Sequence, residues 1–246
     1  MRNFALFTTL ASVFFCLASP IRSISGYRHI GYAVTGDETE NPYVSEGLLA
    51  MWDGKWNVGF FEHDDFSPVW KDLSGNGLDI PVGIEGISWN SDSIMLSNSS
   101  VGTSIPPDKR QRFTIECVAS STFINQGAFV WMRNPGWVGG ALLGWTSRVS
   151  FYYPWKEIAA IGDSDIHTFS LSWSPDVQRL VVDGEVLAET FYALDSRNVL
   201  SEIRIGEYNG SMCSNMRCYS VRLYDRQISV EEEMANSEID RERFGF

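Results

Sequence analysis

Short segments in which apolar and polar residues strictly alternate most constrain the fold of this chain. In HTFSLSWS, the apolar residues Phe169, Leu171 and Trp173 occupy every second position, with hydroxyl residues between them. Successive side chains of a β-strand point to opposite faces of the sheet, so this spacing predicts a half-buried strand. CYSVRLYD, with Tyr219 and Val221 two residues apart, shows the same alternation near the end of the chain. Both segments therefore favour sheets with one apolar face.

The segment QRLVVDGEVLAE predicts a β-hairpin. Asp183-Gly184 joins two runs rich in β-branched residues, and Asp-Gly suits the positive φ angles of a two-residue type I′ turn. Similar runs, about ten to thirteen of them, are separated by short turns, and helical periodicity is almost absent. The sequence therefore predicts one all-β domain, an antiparallel β-sandwich whose two sheets bury their inner faces against each other.

The last segment is the exception, because it predicts a short C-terminal helix. Ser229 stands three residues before Glu232, the spacing of a capping box, and further glutamates occupy the positive end of the helix dipole. Arg241 and Arg243 lie near the other end, and Gly245 is placed to close the helix.

This segment also contains Glu238, Asp240 and Glu242, in the order of the catalytic carboxylates of glycoside hydrolase family 16. A retaining glycosidase needs two carboxyl groups about 5–5.5 Å apart, which Glu-x-Asp-x-Glu achieves on a strand. On a helix, Glu238 and Glu242 are neighbours and Asp240 points nearly the opposite way. Arg241 is then spaced to pair with Glu238, and Arg243 with Asp240, as solvated ion pairs. The match therefore predicts a charged terminal helix and no glycosidase site.

The charge balance disfavours one class of partner. Nineteen Lys and Arg against thirty-one Asp and Glu give a net charge of −12, without a basic cluster. Such a surface repels phosphate backbones, so nucleic acid is not expected as a partner.

The N-terminus predicts export. Residues 1–23 read as a secretory signal peptide with an apolar run over Phe4–Ala18, and cleavage after Ala18 or after Ser23 fits. Lipidation at Cys16 is an alternative, which the large residue before it disfavours. No later segment is apolar enough to cross a bilayer. The mature protein is therefore expected to be secreted or attached to the cell surface.

Three cysteines follow the signal peptide. A bridge between Cys213 and Cys218, across the turn CSNMRC, is plausible in an oxidising compartment. Cys117 shares an alternating face with Phe113 and Ile115, which predicts a buried core residue. No paired Cys-x-x-Cys or histidine motif indicates a zinc site.

The domain as a whole resembles a known family. EGLLAMWDGKWN followed by VWKDLSGNGLD is similar to the opening of laminin G-like, concanavalin A-like lectin domains of bacterial exported proteins. Their closing region resembles IHTFSLSWSPDVQRLVVDGEVLAE, EIRIGEYNG and YSVRLYDRQISVEEEMANSEIDRERF. The similarity covers about residues 46 to 244, so we expect a lead-in over residues 24–46 and the lectin domain over residues 47–246. It implies a jelly-roll sandwich that binds ligands, often carbohydrate, without catalysis.

Some relatives in this family hold a structural calcium. Asp72, Asn76 and Asp79 supply side-chain oxygens in the loop KDLSGNGLD, and Asp53 could lie nearby. The acidic residue that many relatives carry before the Arg-Leu-Tyr segment is replaced here, with Ser220 among the residues in its place. The alternative is an Asx-rich turn held by hydrogen bonds from side chain to backbone.

An aromatic-rich stretch offers a candidate carbohydrate site. Flat aromatic side chains suit the apolar faces of sugar rings, and the candidates between residues 129 and 155 are Trp137, Tyr152, Tyr153 and Trp155. Trp52, Trp70 and Trp173 are instead predicted to lie in the core.

The segment IGDSDIH, with Ser164 and His167, resembles the nucleophile block of one esterase family, but its spacing and its antiparallel surroundings favour an ordinary turn. The sequence therefore predicts a non-catalytic binding module for a glycan or surface glycoconjugate, not an enzyme. A protein-binding adhesion module and a glycoside hydrolase are the alternatives. No cofactor is expected apart from the calcium considered above.

Overall fold

The computed structural model describes residues 41–246 except 84, 109–111, 122–128, 134–139, 144–147, 152–155, 161–163, 175, 191–199, 209–210 and 213–214. The predicted signal peptide and most of the predicted lead-in lie outside these residues. None of the helices among the described residues has the length and apolar character needed to cross a bilayer.

Antiparallel strands account for most of the described chain. They are β1 (Leu48–Asp53), β2 (Val69–Trp70), β3 (Ile80–Pro81), β4 (Ile87–Asn90), β5 (Ser93–Leu96), β6 (Val101–Asp108), β7 (Phe113–Ser121), β8 (Val130–Arg133), β9 (Gly140–Leu143), β10 (Arg148–Phe151), β11 (Lys156–Ala160), β12 (His167–Trp173), β13 (Gln178–Val182), β14 (Glu185–Thr190), β15 (Leu200–Ile205), β16 (Glu207–Tyr208), β17 (Ser211–Met212) and β18 (Met216–Tyr224), followed by one helix, α1 (Val230–Phe244).

Two sheets enclose the core. An eight-stranded sheet has the order β14-β13-β12-β7-β18-β5-β4, with β1 also paired to β18, and a four-stranded sheet has the order β6-β15-β8-β9. Ile115 and Leu171 from the large sheet pack in one cluster with Val130 and Ile203 from the small sheet, and all four are fully buried. Trp52, Trp70, Trp173 and Cys117 belong to the same cluster, as the sequence predicts. The predicted all-β sandwich with a C-terminal helix is confirmed.

The predicted hairpin is present between β13 and β14. Asp183 and Gly184 have φ angles of 53° and 83°, so both turn residues adopt the left-handed conformation that the Asp-Gly pair favours. This turn places Asp183 at one end of the large sheet.

Both faces of strand β12 are buried, which corrects the prediction of a half-buried strand. Thr168, Ser170 and Ser172, which alternate with the core residues, are at most 2% exposed. The reason is helix α1, which packs on this outer face. Ser170 donates a hydrogen bond to Glu233 of the helix at 2.8 Å, and Thr168 donates one to Asp240 at 3.3 Å.

Helix α1 begins and ends as predicted. Ser229 accepts a hydrogen bond from the backbone N–H of Glu232, whose side chain accepts one from the N–H of Ser229, and this completes the capping box. Gly245 closes the helix with φ 76°. The predicted solvated ion pairs are wrong, however. Arg243 donates to Asp53 at 2.7 Å, and Arg241 donates to the backbone carbonyl of Asp183 at 3.0 Å.

The buried side of α1 is a polar stripe. The buried residues recur at helical spacing and all but the last are polar: Glu233, Asn236, Ser237, Asp240 and Phe244. Arg222 on β18 lies between two carboxylates, with Nε 2.7 Å from Glu116 Oε2 and Nη1 2.8 Å from Asp240 Oδ1. Buried charges tolerate such a position only when they are paired and hydrogen-bonded. We call Glu116, Arg222 and Asp240 the helix seat.

Tyr43, which the sequence places in the lead-in, also contacts the helix seat. Its hydroxyl donates a hydrogen bond to Asp240 at 2.7 Å, and the guanidinium of Arg222 lies 4.0 Å from its ring centroid. The side chain is buried. Residues just before Gly47 therefore pack against the sandwich.

Cys218 is a free, buried thiol whose Sγ lies 3.9 Å from Sγ of Cys117. Its predicted partner Cys213 lies outside the described residues.

Candidate functional site

A pocket of about 670 Å³ opens at one end of the large sheet, beside the end of α1. Register explains why strands distant in sequence meet there. Arg217 on β18 lies opposite Met95 on β5 and opposite Ser120 on β7, and all three line the pocket. The volume falls within the range of small-molecule sites in proteins. We call this cavity the His167 pocket.

A histidine–aspartate pair occupies one wall of the pocket. Nδ1 of His167, at the start of β12, lies 2.6 Å from Oδ2 of Asp183 in the hairpin turn. The other carboxylate oxygen of Asp183 accepts a hydrogen bond from the N–H of Thr168 at 2.9 Å, so the carboxylate is held in place. A carboxylate bound at one ring nitrogen fixes the orientation and tautomer of an imidazole. The pair is therefore arranged as a rigid hydrogen-bonded group in the pocket wall.

Two arginines supply positive charge to the same cavity. Arg241 reaches across from the helix, where it donates a hydrogen bond to the backbone carbonyl of Asp183. Arg217 is exposed, and its side chain forms no hydrogen bond or ion pair with other described residues. A guanidinium presents several donors in a plane and matches a carboxylate in two-point contact. Arg217 can therefore bind an anion without breaking an interaction within the described structure.

Another wall is apolar, while Asp165 and Asn215 add polar groups to the lining. Tyr219 is 3% exposed and its ring lies 5.4 Å from that of Phe244, between centroids. Ile166 and Phe246 pack on this pair and also line the pocket. Apolar walls with a few convergent polar groups are typical of sites that bind small organic molecules. The pocket combines a surface for an apolar ring face with donors for a carboxylate.

The sequence predicts that His167 belongs to an ordinary turn. The structure brings His167 and Ser164 into the same pocket. Ser164 forms no hydrogen bond with the described residues, so the structure does not join them as a nucleophile and base. The sequence indicates only a turn at Asp183, since nothing near this residue shows that the turn faces the first residue of β12. Arg217 and Arg241 carried no local sequence signal for this site.

The predicted sugar-stacking residues, Trp137, Tyr152, Tyr153 and Trp155, all lie outside the described residues. Their role stays a prediction.

The predicted calcium ligands lie in one loop, but their polar atoms form hydrogen bonds within this loop and to β1. Asp72 accepts hydrogen bonds from the N–H groups of Met51 and Leu78, at 3.0 and 2.9 Å. Asp79 accepts from the N–H of Asp72 and from Lys71 Nζ, and Asn76 donates its amide N–H to the carbonyl of Leu49. Burial raises the pKa of Asp79, but the hydrogen bonds from Lys71 and from the N–H of Asp72 outweigh this effect. The pKa of Asp79 is therefore lowered. A cation here would compete with these hydrogen bonds, and calcium binding stays a prediction.

No cluster of three or more His, Cys, Asp or Glu side chains able to hold a metal ion occurs among the described residues.

Comparisons with known proteins show the fold and no family. No family model matches the chain, and no curated protein matches it. Among solved structures, Trypanosoma rangeli sialidase in complex with sialic acid is similar at 15% identity with a TM-score of 0.59, over 78% of this chain and 32% of the sialidase. The receptor-binding domain of botulinum neurotoxin type G is similar at 13% identity with a TM-score of 0.60, over 79% of this chain and 52% of that domain.

These similarities correct the predicted function. The chain spans about a third of the length of the sialidases and about half of the toxin domain. Several of the similar structures are sialidases, which are enzymes, so the prediction of a non-catalytic binding module is wrong as an inference from this fold. The β-sandwich is shared with enzymes as well as with a receptor-binding domain. Function therefore depends on the residues of the pocket and not on the fold alone.

Proposed function

We propose that the His167 pocket binds an acidic ligand of about the size of one sugar ring, whose carboxylate pairs with Arg217 and Arg241. The observation that carries this proposal is the exposed guanidinium of Arg217, which faces the cavity without a partner among the described residues. Arg217 can offer its donors to an anion beside an apolar wall, whereas the carboxylate of Asp183 is already bound to His167.

Sialic acid is the ligand class we propose first. It is an acidic sugar, and one of the similar structures is a sialidase in complex with sialic acid. Its ring and acyl group would lie on Ile166 and Phe246, and its carboxylate would face Arg217. A laminin G-like, concanavalin A-like relationship, a glycan partner and a secreted or cell-surface location fit the same proposal, which extends the sequence predictions.

The test is a calorimetric titration of the full chain with N-acetylneuraminic acid, galacturonic acid and galactose. We expect the two acidic sugars to bind and galactose, which lacks a carboxylate, not to bind. Arg217→Gln should weaken binding about tenfold, because a charge-assisted contact is lost. Lys71→Gln is the matched control, since it removes one positive charge away from the pocket and should leave the affinity unchanged.

Two results would contradict the proposal. One is equal affinity for galactose and the acidic sugars, which would remove the role of the carboxylate. The other is unchanged affinity in Arg217→Gln, which would place the ligand elsewhere.

A second candidate function is acid–base catalysis on the bound ligand, which the 2.6 Å contact between His167 and Asp183 favours. An imidazole oriented by a carboxylate is a common general base. If it acts here, the wild-type chain should release the fluorophore from a sialic acid glycoside, and His167→Ala should abolish release while Lys71→Gln retains it. No release by the wild-type chain at saturating glycoside would refute this second function and leave the binding proposal intact.

A further inference from the structure

The turn that follows β1 displays two phenylalanines to solvent. Phe61 is 49% exposed and Phe66 is 90% exposed, in a segment that also contains Trp56 and Phe60. Single exposed apolar residues are common on protein surfaces, but clustered aromatic side chains mark interaction sites more often. We call residues 56–66 the aromatic turn.

The aromatic turn is built to hold its shape. Asn57 is fully buried and binds Asp64 twice, donating to its backbone carbonyl at 2.8 Å and accepting from its N–H at 2.8 Å. His63 closes the turn from inside, with Nδ1 2.9 Å from the carbonyl oxygen of Gly54 and Nε2 2.9 Å from Asp65. The N–H of Phe66 donates to the Asp64 carboxylate at 2.9 Å. The exposed rings therefore stand on an ordered base, and little freedom would be lost on binding.

Phe61 is held in an unfavourable backbone conformation. Its φ of 65° lies in the left-handed region, which bulky residues seldom adopt and which costs of order 1 kcal/mol or more. The ring packs on Trp56 at a centroid distance of 4.8 Å. The guanidinium carbon of Arg243, on α1, lies 3.7 Å from the centroid of the Trp56 ring. Backbone strain of this kind clusters at functional positions.

Three carboxylates lie between Phe61 and Phe66 in the sequence. Glu62, Asp64 and Asp65 are all exposed, and the Asp65 side chain is 63% exposed. Lys55, the cation nearest in sequence, donates its ammonium to the carbonyl of Arg243 at 3.1 Å. The aromatic turn thus displays apolar rings together with exposed acidic side chains, and we call Glu62, Asp64 and Asp65 the acidic rim.

We propose that the aromatic turn docks a basic segment of a partner protein, with Phe61 and Phe66 inserted among its aliphatic side chains and the acidic rim paired with its arginines or lysines. Charge complementarity selects the sign of the partner. An anionic membrane would be repelled by the rim. Small-molecule sites are concave, whereas these rings are exposed to solvent. This surface is separate from the His167 pocket and does not depend on the function proposed for it.

The experiment measures binding of the full chain to labelled peptides by fluorescence anisotropy. The probe carries Arg and Leu residues separated by Ser and Gly, and two matched peptides replace every Arg by Glu or every Leu by Ser. We expect binding to the first peptide alone, weaker at high salt because the rim charges are exposed. Phe66→Ser and Phe61→Gly should each weaken binding about tenfold, as expected for aromatic anchors of an interface.

Two controls separate docking from folding. Met234→Ser removes an apolar side chain of similar exposure (45%) on α1 and should leave peptide binding unchanged. Phe61→Gly relieves the left-handed strain, so its melting temperature should stay close to that of the wild type while its affinity falls. Absence of binding to the basic peptide would overturn the proposal, as would equal loss in Met234→Ser. Binding to phosphatidylserine vesicles in place of peptide would also overturn it, in favour of a membrane surface.

Discussion

Burial determines what individual charged residues do in this protein. Glu116 is fully buried in the helix seat, where Oε2 accepts hydrogen bonds from Arg222 and Asn236 at 2.7 and 2.8 Å. Its Oε1 has no hydrogen-bond partner among the described residues. Burial raises the pKa of Glu116 from 4.5 to about 7, although Arg222 lowers it in part. This carboxyl therefore takes up a proton near neutral pH.

This pKa predicts a pH dependence of stability. Because the folded pKa is about 7 and the unfolded value is 4.5, the folded state binds the extra proton between these pH values. The contribution of Glu116 is therefore complete below pH 4.5 and is lost as pH rises to about 7, by about 3 kcal/mol at most. Glu116→Gln mimics the protonated acid. Its free energy of unfolding, measured with urea, should therefore rise relative to that of the wild type as the pH increases from 5 to 8. An equal difference at both pH values would contradict the raised pKa.

At the scale of elements, helix α1 is held by polar contacts. Its buried side carries Glu233, Asn236 and Asp240, which reach Arg179, Glu116 and Arg222 on the sheet. Glu238 and Glu242 are exposed on the other sides. The three acids of the glucanase-like order therefore have separate surroundings, and Asp240 anchors the helix.

The different surroundings of these acids predict different effects on stability. Asp240→Ala should lower the free energy of unfolding by about 3–5 kcal/mol, because it leaves part of the Arg222 charge buried without its partner. Glu238→Ala is the matched control on the same helix and should change stability by about 0.5 kcal/mol or less, since its side chain is solvated. Chemical unfolding monitored by tryptophan fluorescence measures both. Similar losses in the two variants would mean that the helix seat does not hold α1.

For the whole molecule, packing extends beyond the sandwich itself. The sheets share one apolar core, α1 covers the outer face of the large sheet, and Tyr43 adds a further contact from before β1. The hydroxyl of Tyr43 lies between Asp240 and Arg243, at 2.7 and 2.6 Å. Burial raises the pKa of this phenol well above its usual value, so it remains a neutral donor.

A chain that begins at Gly47 should therefore be less stable than one that begins at Asn41. The expected loss is about 3 kcal/mol, from the buried ring and its hydrogen bond to a charged group. Tyr43→Phe in the longer chain retains the ring and should recover part of this difference. Thermal unfolding followed by circular dichroism measures the three chains. Equal melting temperatures would show that the residues before Gly47 contribute nothing to the fold.

Local patterns in the sequence predicted the fold class and several of its details. The alternation of Phe169, Leu171 and Trp173 gave the core face of β12, Asp183-Gly184 gave the hairpin, and Ser229 gave the start of α1. These features depend on neighbours within a few residues, where the period of a strand, the φ preferences of a turn and the needs of a helix end act directly.

The candidate site could not be predicted in the same way, because its members are distant in sequence. His167 meets Asp183 only through the pairing of β12 with β13, and Arg217 joins them only through the register of β18 with β7. The burial of Asp240 likewise depends on an arginine on another element. By itself the sequence determined which residues form strands, turns and a helix, since those preferences are local. Strand register and helix packing decided which charges meet, because burial and pairing energies exist only once distant segments are in contact.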